Sequence, residues 1–182
     1  LKELKSLGTL RLRIINDKDQ INKYLVKFIN VYKHKWEAQG IKKTIFEDPK
    51  MITFYQNLLR TMNKKYLHFS VLSCGENNIS YHIGFKNTRW LYYYKPTYNT
   101  DFSIFSPGAI HIMKLVEHGL ANNFVGIDFL QGDESYKYRW ANDEVETARY
   151  LICSSKMNFY FVWKSYLKEK LKKIFRNSSN EK

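Results

Sequence analysis

Ser106-Pro107-Gly108-Ala109-Ile110-His111-Ile112, running on to Leu120, then Asn122-Asn123, then Phe124-Val125-Gly126-Ile127-Asp128-Phe129-Leu130, is the stretch on which the fold turns. It reads as a helix opening, a helix over Ala109 to Leu120, a stop and a buried strand. Ser106 suits an N-cap, Pro107 at the first helical position loses no hydrogen bond, and Gly108 removes bulk where free N–H groups point outward. The aromatic run Trp90-Leu91-Tyr92-Tyr93-Tyr94 before it reads as a strand. Strand, helix and strand in that order predict a parallel pair joined by a right-handed crossover.

Toward the N-terminus the period changes. Tyr66 to Ser73 and Ile79 to Phe85 read as strands around the turn Cys74 to Asn78, and Pro96 is expected to end regular pairing in the aromatic strand. Earlier still, Ile21, Tyr24, Leu25, Phe28, Ile29, Tyr32 and Trp36 recur at helical spacing after a cap at Asn16 or Asp17 and before Gly40. Asp48-Pro49 opens a second helix with Ile52, Tyr55, Leu58, Leu59 and Met62 on its apolar side. Thr9 to Ile14 alternates apolar and basic residues as a half-buried strand does. Toward the C-terminus, Ala148 to Ser154 reads as a strand. The tail from Asn158 is helical in period, with a basic amphipathic segment from Lys164 to Arg176 that packs on the domain or rests on an acidic membrane. The order predicts one mixed α/β (α+β) domain over 1–182, antiparallel strands first and a parallel unit later.

With 182 residues, 44% hydrophobic and 16% aromatic, the chain can bury a core without disulfide or metal staples, which excludes collagen-like, coiled-coil and disordered classes. The net charge of +13 suits an anionic partner (a nucleotide, a nucleic acid or an acidic membrane), and solvated surface lysines account for it equally well. Cys74 and Cys153 lie in apolar runs, so buried free thiols and a reducing, cytoplasmic setting are expected. No apolar stretch is long enough to span a bilayer. The start at Leu1, without a signal segment, is expected for a domain cut from a longer protein.

Three places can carry chemistry. The helix start Ser106-Pro107-Gly108-Ala109 is a ready anion site for a phosphate or pyrophosphate, though on pattern alone an ordinary capped helix is the commoner reading. In Gly126-Ile127-Asp128-Phe129-Leu130-Gln131-Gly132-Asp133-Glu134-Ser135-Tyr136-Lys137 an apolar strand delivers Asp128 at its end, and Glu134, Tyr136 and Lys137 follow a glycine turn. A carboxylate, a phenol and an ammonium gathered there can move protons, or form a structural turn with an ion pair. Asp128 is expected to be at least partly buried against that turn, since a carboxylate on an apolar strand is costly without partners. The third place is the aromatic strand itself, as core or as the wall of a cleft. His34, His68, His82, His111 and His118 show no metal-site spacing, so no metal is expected, and phosphate-loop, nucleophile-elbow and dinucleotide fingerprints are absent.

Taken together, Tyr32-Lys33-His34-Lys35-Trp36-Glu37-Ala38-Gln39-Gly40, Phe54-Tyr55-Gln56-Asn57-Leu58, Tyr94-Lys95-Pro96-Thr97-Tyr98, Ser106-Pro107-Gly108 and Asp128 to Lys137 resemble the GNAT acyltransferase superfamily. The resemblance is to its CelD-like branch (acetyltransferase type 6), found with cellulose and exopolysaccharide biosynthesis and similar to Fem-type peptidyltransferases. It implies central parallel strands that splay to admit acetyl-CoA or another acyl-CoA, with Ser106, Pro107, Gly108 and Ala109 at the pyrophosphate. Asp128, Glu134, Tyr136 and Lys137 would then lie near the reacting amine, and Trp36, Tyr55 and Tyr94 beside the acceptor. The family's phosphate loop, usually with several glycines, is reduced here to one. The implied activity is N-acyl transfer to an amine, plausible acceptors being an amino sugar or a cell-envelope intermediate, in the cytoplasm or at the inner face of the membrane. Relatives with two such domains make this chain the counterpart of a C-terminal half. A Fem-like transferase using charged tRNA and a non-catalytic binding domain are the other readings.

Overall fold

The computed structural model describes Leu4, residues 6–148, residue 150 and residues 159–167. The chain divides into two units, 1–141 and 142–182. Within the first, strand β1 (Leu10–Ile14) leads to helix α1 (Lys18–Ala38). The Asp17 side chain caps α1 by accepting the Asp19 and Gln20 N–H groups. At the far end Gly40 takes φ 79°, and the Gly40 and Ile41 N–H groups close on the Glu37 and Trp36 carbonyls. That is the left-handed stop a glycine permits. Asp48 caps helix α2 (Pro49–Thr61), with Pro49 in its first turn.

Strands β2 (Leu67–Cys74), β3 (Asn77–Lys86) and β4 (Trp90–Tyr98) form the antiparallel meander. A 3-10 turn (Thr100–Phe105) and helix α3 (Pro107–Ala121) then lead to β5 (Gly126–Asp128). The sheet is five-stranded in the order β1-β2-β3-β4-β5, antiparallel except for the parallel pair β4–β5. The mixed fold expected from the sequence is the one found.

β2 is buried along its whole length, because helices cover both faces of the sheet. Phe69, Val71, Tyr81 and Ile83 face α1 and α2, where Phe28 meets Phe46, Phe69 and Tyr81 edge-on. Leu72, Cys74, Ile79, Leu91 and Tyr93 face α3 through Ile110, Ile112 and Leu115. Cys74 is a buried free thiol.

β4 departs from the expected pattern. It runs through Pro96, which pairs with His82, and reaches Tyr98. A proline without an N–H is tolerated because β5 no longer flanks this half of β4. β5 is correspondingly shorter than the expected Phe124–Leu130 strand.

In the second unit residues 159–167 are helical, with the aromatic side chains of Phe159, Tyr160, Phe161, Trp163 and Tyr166 exposed. The strand expected over 148–154, Cys153 and the basic segment beyond 167 lie outside the described residues, apart from 148 and 150, which are not in a strand.

Candidate functional site

The site is built where β4 and β5 part. They pair only as Trp90 with Gly126, Leu91 with Ile127 and Tyr92 with Asp128. A Cβ at Gly126 would press into the Trp90 ring, so glycine lets the strands meet at their start. The chain then leaves the sheet: Asp128 Oδ1 accepts the Leu130 N–H at 2.7 Å, and Leu130 and Gly132 take φ 58° and 126°. β4 continues through Tyr93–Tyr98 with no strand beside it on that edge among the described residues.

A bulge lies at the same point on the other side of β4. Phe85 pairs with Tyr92 but Ile83 pairs with Lys95, so Tyr93 and Tyr94 both stand opposite Gly84. A side chain at Gly84 would collide with the His82 ring and the Tyr92 carbonyl. Tyr93 and Tyr94 alternate as in any strand, and the extra residue brings Lys95 onto the face of Tyr94. Tyr93 stacks on His82 at 4.5 Å on the α3 side, while the Tyr94 hydroxyl meets the Tyr55 hydroxyl at 3.1 Å on the α2 side. Burial, then the contact with Tyr94, raises the Tyr55 pKa far above the usual phenol value. Trp36 joins this group through Tyr32, whose ring lies 5.9 Å away. The expected acceptor-side residues Trp36, Tyr55 and Tyr94 are thus brought to one region.

The start of α3 differs from its sequence expectation. Ser106 precedes the helix, but with φ 53° and ψ 55° its side chain makes no cap. A capping hydroxyl needs an extended backbone, and the preceding 3-10 turn delivers Ser106 in the left-handed region instead. The Ser106 carbonyl takes the Ala109 and Ile110 N–H groups at 3.0 and 3.2 Å. Pro107 has no N–H, so Gly108 carries the first-turn donor without a partner among the described residues, and Ala109 does not add one. A Cβ at Gly108 would meet only the Tyr98 ring, at 3.8 Å.

The acidic loop also needs correction. Asp128 is exposed, not partly buried. β5 is too short to carry its last carboxylate under another layer, so Asp128 bonds the turn backbone while keeping its water. Lys137 is the buried member: its ammonium reaches Glu134 at 2.8 Å and the Leu130 and Gln131 carbonyls at 3.2 and 2.9 Å. All three of its donors are consumed, which makes it a strut that closes the loop. Burial tends to raise the Glu134 pKa, but the hydrogen bond and charge of Lys137 outweigh it, and the pKa falls below the ordinary carboxylate value. Tyr136 packs against Phe129 and Tyr93, each at 6.4 Å, and burial followed by the Glu134 charge pushes its pKa up to about 12.

Two features escaped the sequence reading. Lys35 and Lys95 stand among the aromatic rings on the α1 side of β4. Behind the sheet, His68, His82 and His111 are buried together, with His118 5.3 Å from His68. His111 bridges Ser70 and Ser80 at 2.9 Å each, tying α3 to β2 and β3. The signal lay in the period-2 faces His68/Ser70 and Ser80/His82, and in the helical spacing of His111 and His118. Among the described residues, no three ligand-type side chains could hold a metal ion.

A mixed sheet whose one parallel pair opens beside a helix start is the architecture of an acyl-CoA-dependent N-acetyltransferase. The chain belongs to the GNAT acetyltransferase domain family: the Acetyltransf_6 model, described as an acetyltransferase (GNAT) domain, matches residues 1–138. The family implies an acyl-CoA co-substrate and an acceptor. The fold is similar to that of an aminoglycoside acetyltransferase, HMB0005, from an uncultured soil metagenomic sample, at 14% identity and TM-score 0.53, covering 81% of this chain and 99% of that one. It is likewise similar to meta-AAC0020, another such enzyme from an uncultured soil metagenomic sample, solved with sisomicin, at 16% identity and TM-score 0.53, covering 79% and 97%. No curated protein matches the chain in sequence. Among the described residues no helix is long and apolar enough to cross a membrane.

Proposed function

We propose that the chain transfers an acetyl or similar acyl group from acyl-CoA to the amine of a small acceptor by direct attack. The observation that carries this reading is the parting of β4 from β5 after Tyr92, beside the start of α3. The residues fit the co-substrate. The peptide groups of Tyr93–Tyr98 stand where the pantetheine arm, which carries amides, can pair as a substitute strand. The Gly108 N–H, at the positive end of α3 and without an acceptor among the described residues, suits a phosphate oxygen. Bound acyl-CoA supplies the thioester, and attack by the amine forms the C–N bond as the C–S bond breaks.

The chain's own groups then have separate tasks. A backbone N–H of the β4 bulge holds the thioester carbonyl. Asp128, exposed and with one oxygen uncommitted to Leu130, accepts the amine proton directly or through water. Tyr136, protonated at neutral pH, returns a proton to the departing thiolate. Glu134 and Lys137 are committed to each other and hold Tyr136 in place. The aromatic walls suit an amino sugar, and the likeness to aminoglycoside acetyltransferases supports that class. The buried free Cys74 is in keeping with a reducing compartment.

Replacing Gly108 by Leu tests the donor site. The new side chain enters open space, so the melting temperature should hold or rise with the better helix former. The CoA dissociation constant measured by calorimetry should increase at least about tenfold, equivalent to 1.4 kcal/mol. Unchanged affinity would remove the helix start from the site.

A further inference from the structure

Lys95 and Lys35 differ from the ion-paired lysines Lys33, Lys114 and Lys137 in having aromatic rings around their ammonium groups. The bulge places Lys95 on the α1/α2 side of β4, opposite Ile83. Its ammonium lies 5.3, 5.5 and 5.9 Å from the ring centres of Tyr94, Tyr32 and Tyr55. Lys35, near the end of α1, lies 4.5 Å from the Tyr98 ring centre and 5.8 Å from that of Trp36. Tyr32 and Trp36 touch, so one continuous aromatic surface carries both cations.

Neither ammonium makes an ion pair or hydrogen bond with any described residue, whereas Lys33 pairs with Glu47, Lys114 with Glu117 and Lys137 with Glu134. Glu47, on the 3-10 turn Ile45–Glu47 beside α1, is thus already taken. Aromatic faces return part of the cost of desolvating a cation, and an unpaired ammonium away from water still carries a penalty. Burial lowers the pKa of both lysines. Both remain partly exposed, so a ligand can reach them.

We propose that Lys95 and Lys35 form a recognition site for an anionic group, a carboxylate or a phosphate, carried by the acceptor. This rests on the acyl-transfer reading for the word acceptor, but the anion site itself stands on the geometry. Lys95 directly follows Tyr94 in the bulge, beside the point where β4 and β5 part and where the amine must arrive. An acceptor bearing both an amine and an anionic group would be oriented by the lysines with its amine toward the thioester. A polycation such as an aminoglycoside would meet like charge at the same place and be a poor substrate.

The experiment is an NMR titration of the CoA-saturated protein with inorganic phosphate, reading the Tyr94 and Lys95 amides against sodium chloride of equal ionic strength. Saturable binding is expected in the parent protein. Lys95→Met should raise the phosphate dissociation constant at least tenfold and leave that of CoA within twofold, while Lys95→Arg should keep phosphate binding within threefold. The proposal is overturned if the CoA complex shows no saturable phosphate binding, if Lys95→Met leaves that binding unchanged, or if CoA binding falls with it, which would assign the lysines to the donor's phosphates. If the protein binds no CoA, the acyl-transfer reading fails, and the same titration of the chain alone decides whether the anion site exists.

Discussion

Acidification from pH 7 to pH 5 is expected to lower the folding stability of the 1–141 unit. His68 and His111 are held at about 3 and His82 well below the ordinary imidazole value, in each case first by burial. His118 and Lys86 add to the effect at His68, and the neighbouring histidines add to it at His82, with no carboxylate offsetting it. The folded chain therefore keeps these rings neutral at pH 5, while the unfolded chain protonates them below about pH 6.5. The unfolded state binds more protons, so stability rises with pH; it is full above about 6.5 and lost as the pH falls from there toward 3. All three act in the same direction, so their losses add as the pH falls. Urea melts at pH 7, 6 and 5 measure this directly. His68→Leu should cost little at pH 7, because neither ring nitrogen has a hydrogen-bond partner among the described residues, and should flatten the profile by one histidine's share. A flat profile in the parent between pH 7 and 5 would contradict the account.

Asp128→Asn is expected to lower acetyl transfer per folded molecule by a factor of roughly a hundred, the usual loss when a positioned proton acceptor is removed. The exposed geometry makes the experiment clean. An asparagine Oδ1 can still accept the Leu130 N–H, so the turn survives and the thermal melt should be unchanged. A variant that melts early with proportionally reduced activity would indicate a structural role only. A variant with normal turnover and a normal melt would take Asp128 out of the chemistry.

Local signals carried much of this fold into the sequence. Asp17, Gly40, Asp48 and Pro49 mark helix ends through hydrogen bonds and backbone angles within a few residues of themselves, and all four act as their types predict. What could not be read depends on contacts distant in the chain. The bulge opposite Gly84 is set by a ring on β3 and a carbonyl on β4, so the aromatic run, whose alternation separates Tyr93 from Tyr94, could not show that Lys95 joins Tyr94 on one face. Pro96 suggests a strand end in the sequence, and what admits it inside β4, the stop of β5 at Asp128, lies some thirty residues further along the chain. Asp128 and Lys137 looked like partners because the sequence sets them at the two ends of one loop. The structure gives Lys137 the closer Glu134 and two carbonyls, and leaves Asp128 to the solvent.

The open half of β4 also bears on how molecules of this chain behave at high concentration. A strand edge with unsatisfied peptide groups is a template on which a second chain can add its own strand, the first step toward swapped dimers and aggregates. Under the proposed function, Tyr93 to Tyr98, with no strand beside them among the described residues, keep such an edge accessible for acyl-CoA. Pro96 contributes no donor in the middle of it, and the bulge at Tyr93 and Tyr94 breaks the flat repeat that an incoming strand would have to match. Lys95 adds a charge beside both. The irregularities that shape the opening for a small molecule thus also make it a poor landing place for another polypeptide.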